Sequence, residues 1–371
     1  MQFTNIQSRL IRKSSFKTHS ADYSLIFLTL ALVIFGVVMV YNASIVTAQR
    51  DFGDKYYFLK NQLLWSIIGG VVFAITSRID YHYWQKFSLL ALIGSVLLLL
   101  AVFIPGLGVK TYGAHRWLNL GFASLQPAEI TKMALILYLS TVLTKKIQLT
   151  NFVFVSGLIL GIVLLQRDMG TTIILGTIAL SLYFVAGAPM SHFFVMVPSA
   201  LLAGAFFIIS SDFRRARFLS FINPNLDTQG ASYHINQILI ALGSGGFFGL
   251  GLGQSRQKYG FIPEVSTDSI FAVIGEELGF IGAAFLTVLF LLLILRCFLT
   301  AKRAKDSFGF LMASGISVWI AAQAFINLSS MTALTPLTGV PLPFISYGGT
   351  SLVVAMGAVG LLYNISKQSN S

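Results

Sequence analysis

Along this chain apolar residues fall in runs of about twenty, separated by short polar stretches. A helix rising 1.5 Å per residue needs about that length to cross roughly 30 Å of hydrocarbon. The runs predict ten spans, over about 24–44, 58–76, 86–105, 127–144, 152–166, 170–186, 191–211, 269–295, 308–329 and 345–365. The first follows some twenty polar residues, is too long for a signal-peptide core and has no small-residue cleavage pattern after it. It is expected to stay as a helix.

Composition narrows the class. Of 371 residues 56% are hydrophobic and 10% charged, against roughly 25% charged in a soluble domain, so a water-soluble surface cannot be built. The expected fold is an all-α integral membrane protein forming a single polytopic domain over residues 1–371. No repeat of 20–50 residues, low-complexity tract or linker marks a second domain. The single cysteine, Cys297, excludes a disulfide framework and a cysteine-based metal site.

The net charge of +12 would suit nucleic acid, but in a membrane protein the distribution of Lys and Arg among loops decides its meaning. With a cytoplasmic N-terminus, the inside loops and tails hold 13 basic residues, faced by only Asp22, Asp80 and Asp306. That asymmetry predicts both termini inside and residues 1–22 as a basic cytoplasmic tail, with no nucleic-acid role. The outside charges are mixed in sign and cluster in two loops, 106–126 and 212–268. The second, 57 residues between spans seven and eight, is long enough to expect a function. Within it, Tyr233 to Leu242 reads as a short amphipathic or re-entrant helix. Residues 243–253 follow, with six glycines in eleven positions. No Gly-Lys-Ser/Thr follows them, which excludes a phosphate loop and leaves a tight, backbone-exposing turn.

Several polar groups sit where hydrocarbon makes them costly. Pro127 suits the first position of the fourth span and Glu129 complements its positive end. Lys132, one turn inside, needs a partner, and Glu129 at i, i+3 is available. The pair fits either a helix-start ion pair or a polar cavity that binds substrate. Upstream, Arg116 can grip phosphate oxygens and Trp117 suits the interface. Arg214, Arg215 and Arg217 follow the seventh span on the outer side, as a solvated interfacial cluster or a site for an anionic headgroup or pyrophosphate. Asp268 opens the eighth span, with Glu276 and Glu277 about 12 Å deeper. Intramembrane carboxylates are functional candidates by default, while Thr-Asp before an apolar run is equally a helix cap. Asp168 divides in the same way between cap and site residue.

Taken together these motifs resemble the SEDS family of membrane peptidoglycan polymerases, in family order over about residues 23 to 365. The resemblance rests on RWLNLG with LQPAEITK (Arg116 to Lys132), LQRDMGT (Leu165 to Thr171) and FLSFINP with the GSGG stretch. It continues in QKYGFIPE…TDSIFAVIGEELG (Gln257 to Gly279) and PLPFISYGGTSL (Pro341 to Leu352). It implies a ten-span enzyme joining lipid II units on the outer face of the bacterial cytoplasmic membrane, with a class B penicillin-binding protein and other division proteins as partners. It also implies that Asp268 is catalytic, that Glu129 and Lys132 line a central cavity, and that Arg116 and Trp117 form the R-W motif. The compact spacing from Gly249 to Glu264 is more like the division-type than the elongation-type members. Two departures stand out: Arg167 replaces a usual proline beside Asp168, and Ser266 a usual histidine two before Asp268.

The chemistry agrees with this inventory. Joining a sugar hydroxyl to the anomeric carbon of a lipid-linked disaccharide needs a general base and cations to stabilise the departing pyrophosphate. An aspartate satisfies the first need, or alternatively holds a divalent cation such as Mg or Mn that binds the pyrophosphate. A lipid II transporter and a non-catalytic scaffold of the division machinery are the rival readings.

Overall fold

A computed structural model describes residues 21–111, 114–119, 121, 124–210, 212–222 and 232–369. Most of the basic tail and residues 223–231 lie outside the described residues, as do the side chains of Asp212, Phe213 and Arg217.

Each apolar run forms a helix. In chain order these are α1 (Tyr23–Phe52), α2 (Tyr57–Thr76), the six-residue α3 (Tyr81–Lys86), α4 (Ser88–Ala101), α5 (Pro127–Lys145), α6 (Leu149–Leu165) and α7 (Met169–Val185). There follow α8 (Met190–Ile209), α9 (Asp212–Ile222), α10 (Tyr233–Gly245), α11 (Ile270–Lys302), α12 (Ser307–Met331) and α13 (Gly349–Gln368). Six of them are long and apolar enough to cross a membrane, and α4, α6 and α7 are shorter apolar helices.

The expectation of an all-α chain needs a correction. The loop before α5 contains a three-stranded antiparallel sheet, β1 (Gly108–Thr111), β2 (Ala114–Asn119) and β3 (Ser124–Leu125), in the order β1-β2-β3. The chain turns back after Leu107 because Gly108 lies so close to the carbonyl of Val102 that any Cβ there would collide with it. Two spans also differ from expectation. The third is shorter, as α4 with the separate α3 before it, and the tenth starts at Gly349 because residues 345–348 are not helical.

α12 and α13 are the most buried spans; α8 contributes no buried residue. α13 packs on α2, where Gly357 and Gly360 leave room for Val72, Phe73 and Thr76, and the Thr76 hydroxyl donates to Gly357 O at 3.0 Å. Small residues at such a seam let backbones approach where no hydrophobic force drives association. α12 packs on α5, α7 and α11.

One end of the bundle is closed by polar ties: Asp22 N donates to Ser366 Oγ at 3.2 Å, Tyr81 N to Asn364 Oδ1 at 3.0 Å, and Tyr81 OH to Asp306. Burial, then the Asp306 carboxylate, pushes the Tyr81 phenol upward and keeps it the donor. The sheet, the α6–α7 turn, residues 246–269 and the α12–α13 connector gather at the other end, where the candidate chemistry lies.

Candidate functional site

α11 is two helices. Gly279, at φ 66° and ψ −166°, breaks it, leaving a short first part that begins at Ile270. Such a break in an apolar span requires partners for the freed backbone groups, and the glycine-rich stretch supplies them. Leu250 and Gly251 donate N–H to the carbonyls of Glu276 and Glu277, both at 3.0 Å, while Phe280 and Ile281 donate to Gly246 O and Phe247 O at 2.9 and 3.2 Å. The backbones touch so closely that a Cβ at Gly245 would strike Gly275 O, and one at Gly249 would strike Glu277 O. The glycines are thus needed for contact between segments more than for a turn. α10 forms at the position where the sequence predicts a short helix and packs on α11.

Glu276 and Glu277 belong to this junction. Glu276 accepts from the Ser255 hydroxyl at 2.5 Å and Arg256 N at 3.0 Å. Glu277 accepts from Ser255 N at 3.1 Å, from Lys258 Nζ at 3.3 Å and from Asn42 Nδ2. Every carboxylate oxygen is engaged, and the loop that leads to Asp268 is fastened to α1 and α11.

Asp268 is half-buried in the turn before α11. The capping position falls on Ser269, whose side chain makes no capping bond. Asp268 thus stands one residue before the capping position. Its Oδ2 would lie 3.5 Å from a Cβ on Gly339, so the carboxylate rests against the connector before α13. The Thr267 hydroxyl is 3.2 Å from Asp268 Oδ1 and 3.0 Å from Glu264 Oε2. Tyr347 N donates to Ser266 O at 2.8 Å, so Ser266 serves through its backbone. A histidine reaches this turn from another element: His234 Nε2 on α10 is 2.9 Å from the Ser269 hydroxyl.

Glu129 and Lys132 pair as the sequence predicts, at 2.8 Å with both side chains about 1% exposed. Two residues that the sequence reading passed over complete the group. Gln323 Oε1 accepts from Lys132 Nζ at 2.8 Å and from Trp319 Nε1 at 2.7 Å, and the ammonium lies 5.0 Å from the Trp319 ring centre. Glu129 Oε2 has no hydrogen-bond partner among the described residues.

Asp168 caps α7, accepting from Thr171 N at 3.1 Å and the Thr171 hydroxyl at 2.9 Å. Arg116, on β2, places Nε 3.8 Å from Asp168 Oδ2 and donates through Nη2 to Arg167 O at 2.5 Å. The charges thus fall into two pairs, Arg116 with Asp168 and Lys132 with Glu129. Trp117 lies opposite Val109 in the sheet. Arg167 has φ 62°, a conformation closed to the family's usual proline, whose ring holds φ near −65°. The arginines after the seventh span fall on α9, which packs on α8. Arg214 stacks 5.3 Å from the Phe207 ring centre and donates to the Ser210 hydroxyl at 3.3 Å; Arg217 shares the helix.

The chain matches the family model of FtsW, RodA and SpoVE, described as cell cycle protein, over residues 23–371. It is 41% identical over 354 residues to the probable peptidoglycan glycosyltransferase FtsW of Geobacter metallireducens, covering 93% of this chain and 94% of that protein. It is 40% identical over 362 residues to the stage V sporulation protein E of Bacillus subtilis, covering 95% and 99%. Among solved structures, a chain from a peptidoglycan synthase complex that coordinates polymerization and crosslinking superposes with a TM-score of 0.78, at 25% identity and over 94% and 98% of the two chains. The rod shape determining protein RodA of Thermus thermophilus gives 0.70 at 26% identity with the same coverage. The chain belongs to the FtsW, RodA and SpoVE family of cell cycle proteins.

Proposed function

We propose that this membrane protein is a peptidoglycan glycosyltransferase that polymerises lipid II into glycan strands for septal wall synthesis, with Asp268 as the general base. The observation that carries the reading is the seat of Asp268. It is a half-buried carboxylate at the mouth of α11, resting against a connector from another span.

In this reading the protein crosses the bacterial cytoplasmic membrane ten times, with both termini inside and the Asp268 end outside, at the division septum. Asp268 accepts the proton of the acceptor sugar hydroxyl as that oxygen attacks the anomeric carbon of the donor. The bond from that carbon to the lipid pyrophosphate breaks, and pyrophosphate leaves as an anion without needing a carboxylic acid to protonate it. Lys132 and Arg116 supply positive charge near the reaction, with Arg214 and Arg217 on α9 for lipid pyrophosphate at the membrane surface and Trp117 at the interface. Asp168 orients Arg116. Glu276 and Glu277 hold the loop that carries Asp268.

Among the described residues no three His, Cys, Asp or Glu side chains converge as a metal cage. That donor set does not fit an ion held by the protein alone, so no step is routed through Mg or Mn. The partners in this reading are lipid II in the bilayer, a class B penicillin-binding protein and the division machinery.

The test is purified protein with labelled lipid II, with and without the penicillin-binding protein. Glycan polymer is the expected product, whereas translocation without polymer would make the protein a transporter. Depletion in cells is expected to give filaments with blocked septa. Rounded cells that still divide would assign it to elongation instead.

A further inference from the structure

Asn327 is fully buried in α12, one helical turn from Gln323. An amide at that depth in an apolar span is costly unless its hydrogen bonds are made within the protein. Both protons of Asn327 Nδ2 are used, at 2.8 Å to Asp268 O and 2.8 Å to Val340 O. Carbonyl oxygens only accept, so this orientation of the amide is the one the network permits. Val340 follows Gly339, the residue against which the Asp268 carboxylate rests. One side chain therefore grips both halves of the Asp268 seat.

Gln323 repeats the arrangement on the next carbonyl. Its Nε2 donates to Pro341 O at 2.9 Å while its Oε1 accepts from Lys132 Nζ. Four residues of helix set the two amides about 6 Å apart along α12. Lys132 on α5 and Asp268 in the turn before α11 are thereby referenced to two successive carbonyls of one connector.

We propose that Asn327 is a positioning residue for Asp268, and that with Gln323 it fixes the spacing between the carboxylate and the Lys132 ammonium. The inference rests on the reading of Asp268 as the base. Losing the grip displaces the carboxylate without removing a group that binds lipid II, so turnover should fall and substrate affinity should hold. A misplacement of about 1 Å in a catalytic group costs about 100-fold.

Two measurements test this. In the polymerisation assay, Asn327→Ala and Asn327→Asp should each lower turnover at saturating lipid II about 100-fold with KM changed by less than about threefold. Asn327→His, which keeps a ring N–H at similar reach, should recover part of the loss. Independently of activity, an Asp268→Cys protein should react with a small maleimide at a rate that changes about tenfold when Asn327→Ala is added; buried Cys297 contributes little background. Asn327→His added to the same background reports on the seat should the alanine variant fail to fold. Turnover within threefold of wild type, or an unchanged labelling rate, would overturn the proposal. Should Asp268→Asn remain active while labelling still depends on Asn327, the base assignment fails and the positioning stands.

Discussion

Glu129 and Glu277 are glutamates of nearly equal burial, each with a lysine in reach, at 2.8 Å for Lys132 and 3.3 Å for Lys258. The protein answers them differently. Both oxygens of Glu277 accept hydrogen bonds, from the backbone of Ser255, from Lys258 and from Asn42, as do both of neighbouring Glu276. Glu129 engages one oxygen with Lys132 and has Oε2 left over among the described residues. A fully satisfied buried network rigidifies a fold, while a buried acceptor left open calls for an explanation such as a ligand. Residue type and burial are the same on the two sides, and what differs is how many of the oxygens the protein itself satisfies.

The largest effect is expected at Asp268, beside these two. Asp268→Asn should abolish polymerisation in a folded, inserted protein, because an amide of the same shape cannot accept the hydroxyl proton. Retention of even a tenth of the wild-type rate, a barrier change of about 1.4 kcal/mol, would move the base to Glu129 or Asp168. Next come Glu129→Ala and Lys132→Ala. Breaking a buried pair costs about 3–5 kcal/mol, and because the two act as a unit their losses in activity should be severe and non-additive. Additive losses in a double-mutant cycle would dissolve the pair.

Glu277→Ala gives the contrast. Leaving Lys258 without its charge partner should cost about 3 kcal/mol, read as a lower unfolding midpoint and lower folded yield, with turnover per folded molecule near wild type. A loss of turnover as deep as that of Glu129→Ala would erase the distinction drawn above. A smaller effect is expected of Arg167→Gly, which keeps the turn because glycine accepts φ 62° freely. Arg167→Pro should be far worse, because the turn that presents Arg167 O to Arg116 would have to be rebuilt. Equal melting temperatures for the two variants would show that the turn adapts.

The helical runs were legible because hydropathy reports transfer into hydrocarbon, and every run became helix. That same quantity is blind to backbone hydrogen bonding, so it missed the break at Gly279, which falls inside one continuous predicted span. It also missed the sheet before α5, whose strands are too short to show a period. At the site, Asp268 and the Glu129–Lys132 pair stood out as charges in apolar surroundings. Gln323 and Asn327 carried a weaker form of the same signal, two amides at i, i+4 in an otherwise apolar segment, and were overshadowed by it. His234 beside Ser269 was not recoverable, since only the docking of α10 on α11 brings them together. The role of Glu276 and Glu277 likewise depends on where residues 255–258 fold back.

The splice between residues 246–251 and the broken helix bears on biogenesis. The segment that completes the hydrogen bonds of residues 276–281 precedes them by about thirty residues, so in vectorial synthesis at about 5–20 residues per second it leads them by only a few seconds. The closing loop is short, which keeps its entropic cost low. The unsatisfied carbonyls of the first half of α11 thus meet their donors as soon as they leave the translocon, without waiting for α12 or α13. Moving the glycine segment to the C-terminal side of α11 by circular permutation would take away that head start, and the nascent chain would carry an open helix break through hydrocarbon until its partner emerged.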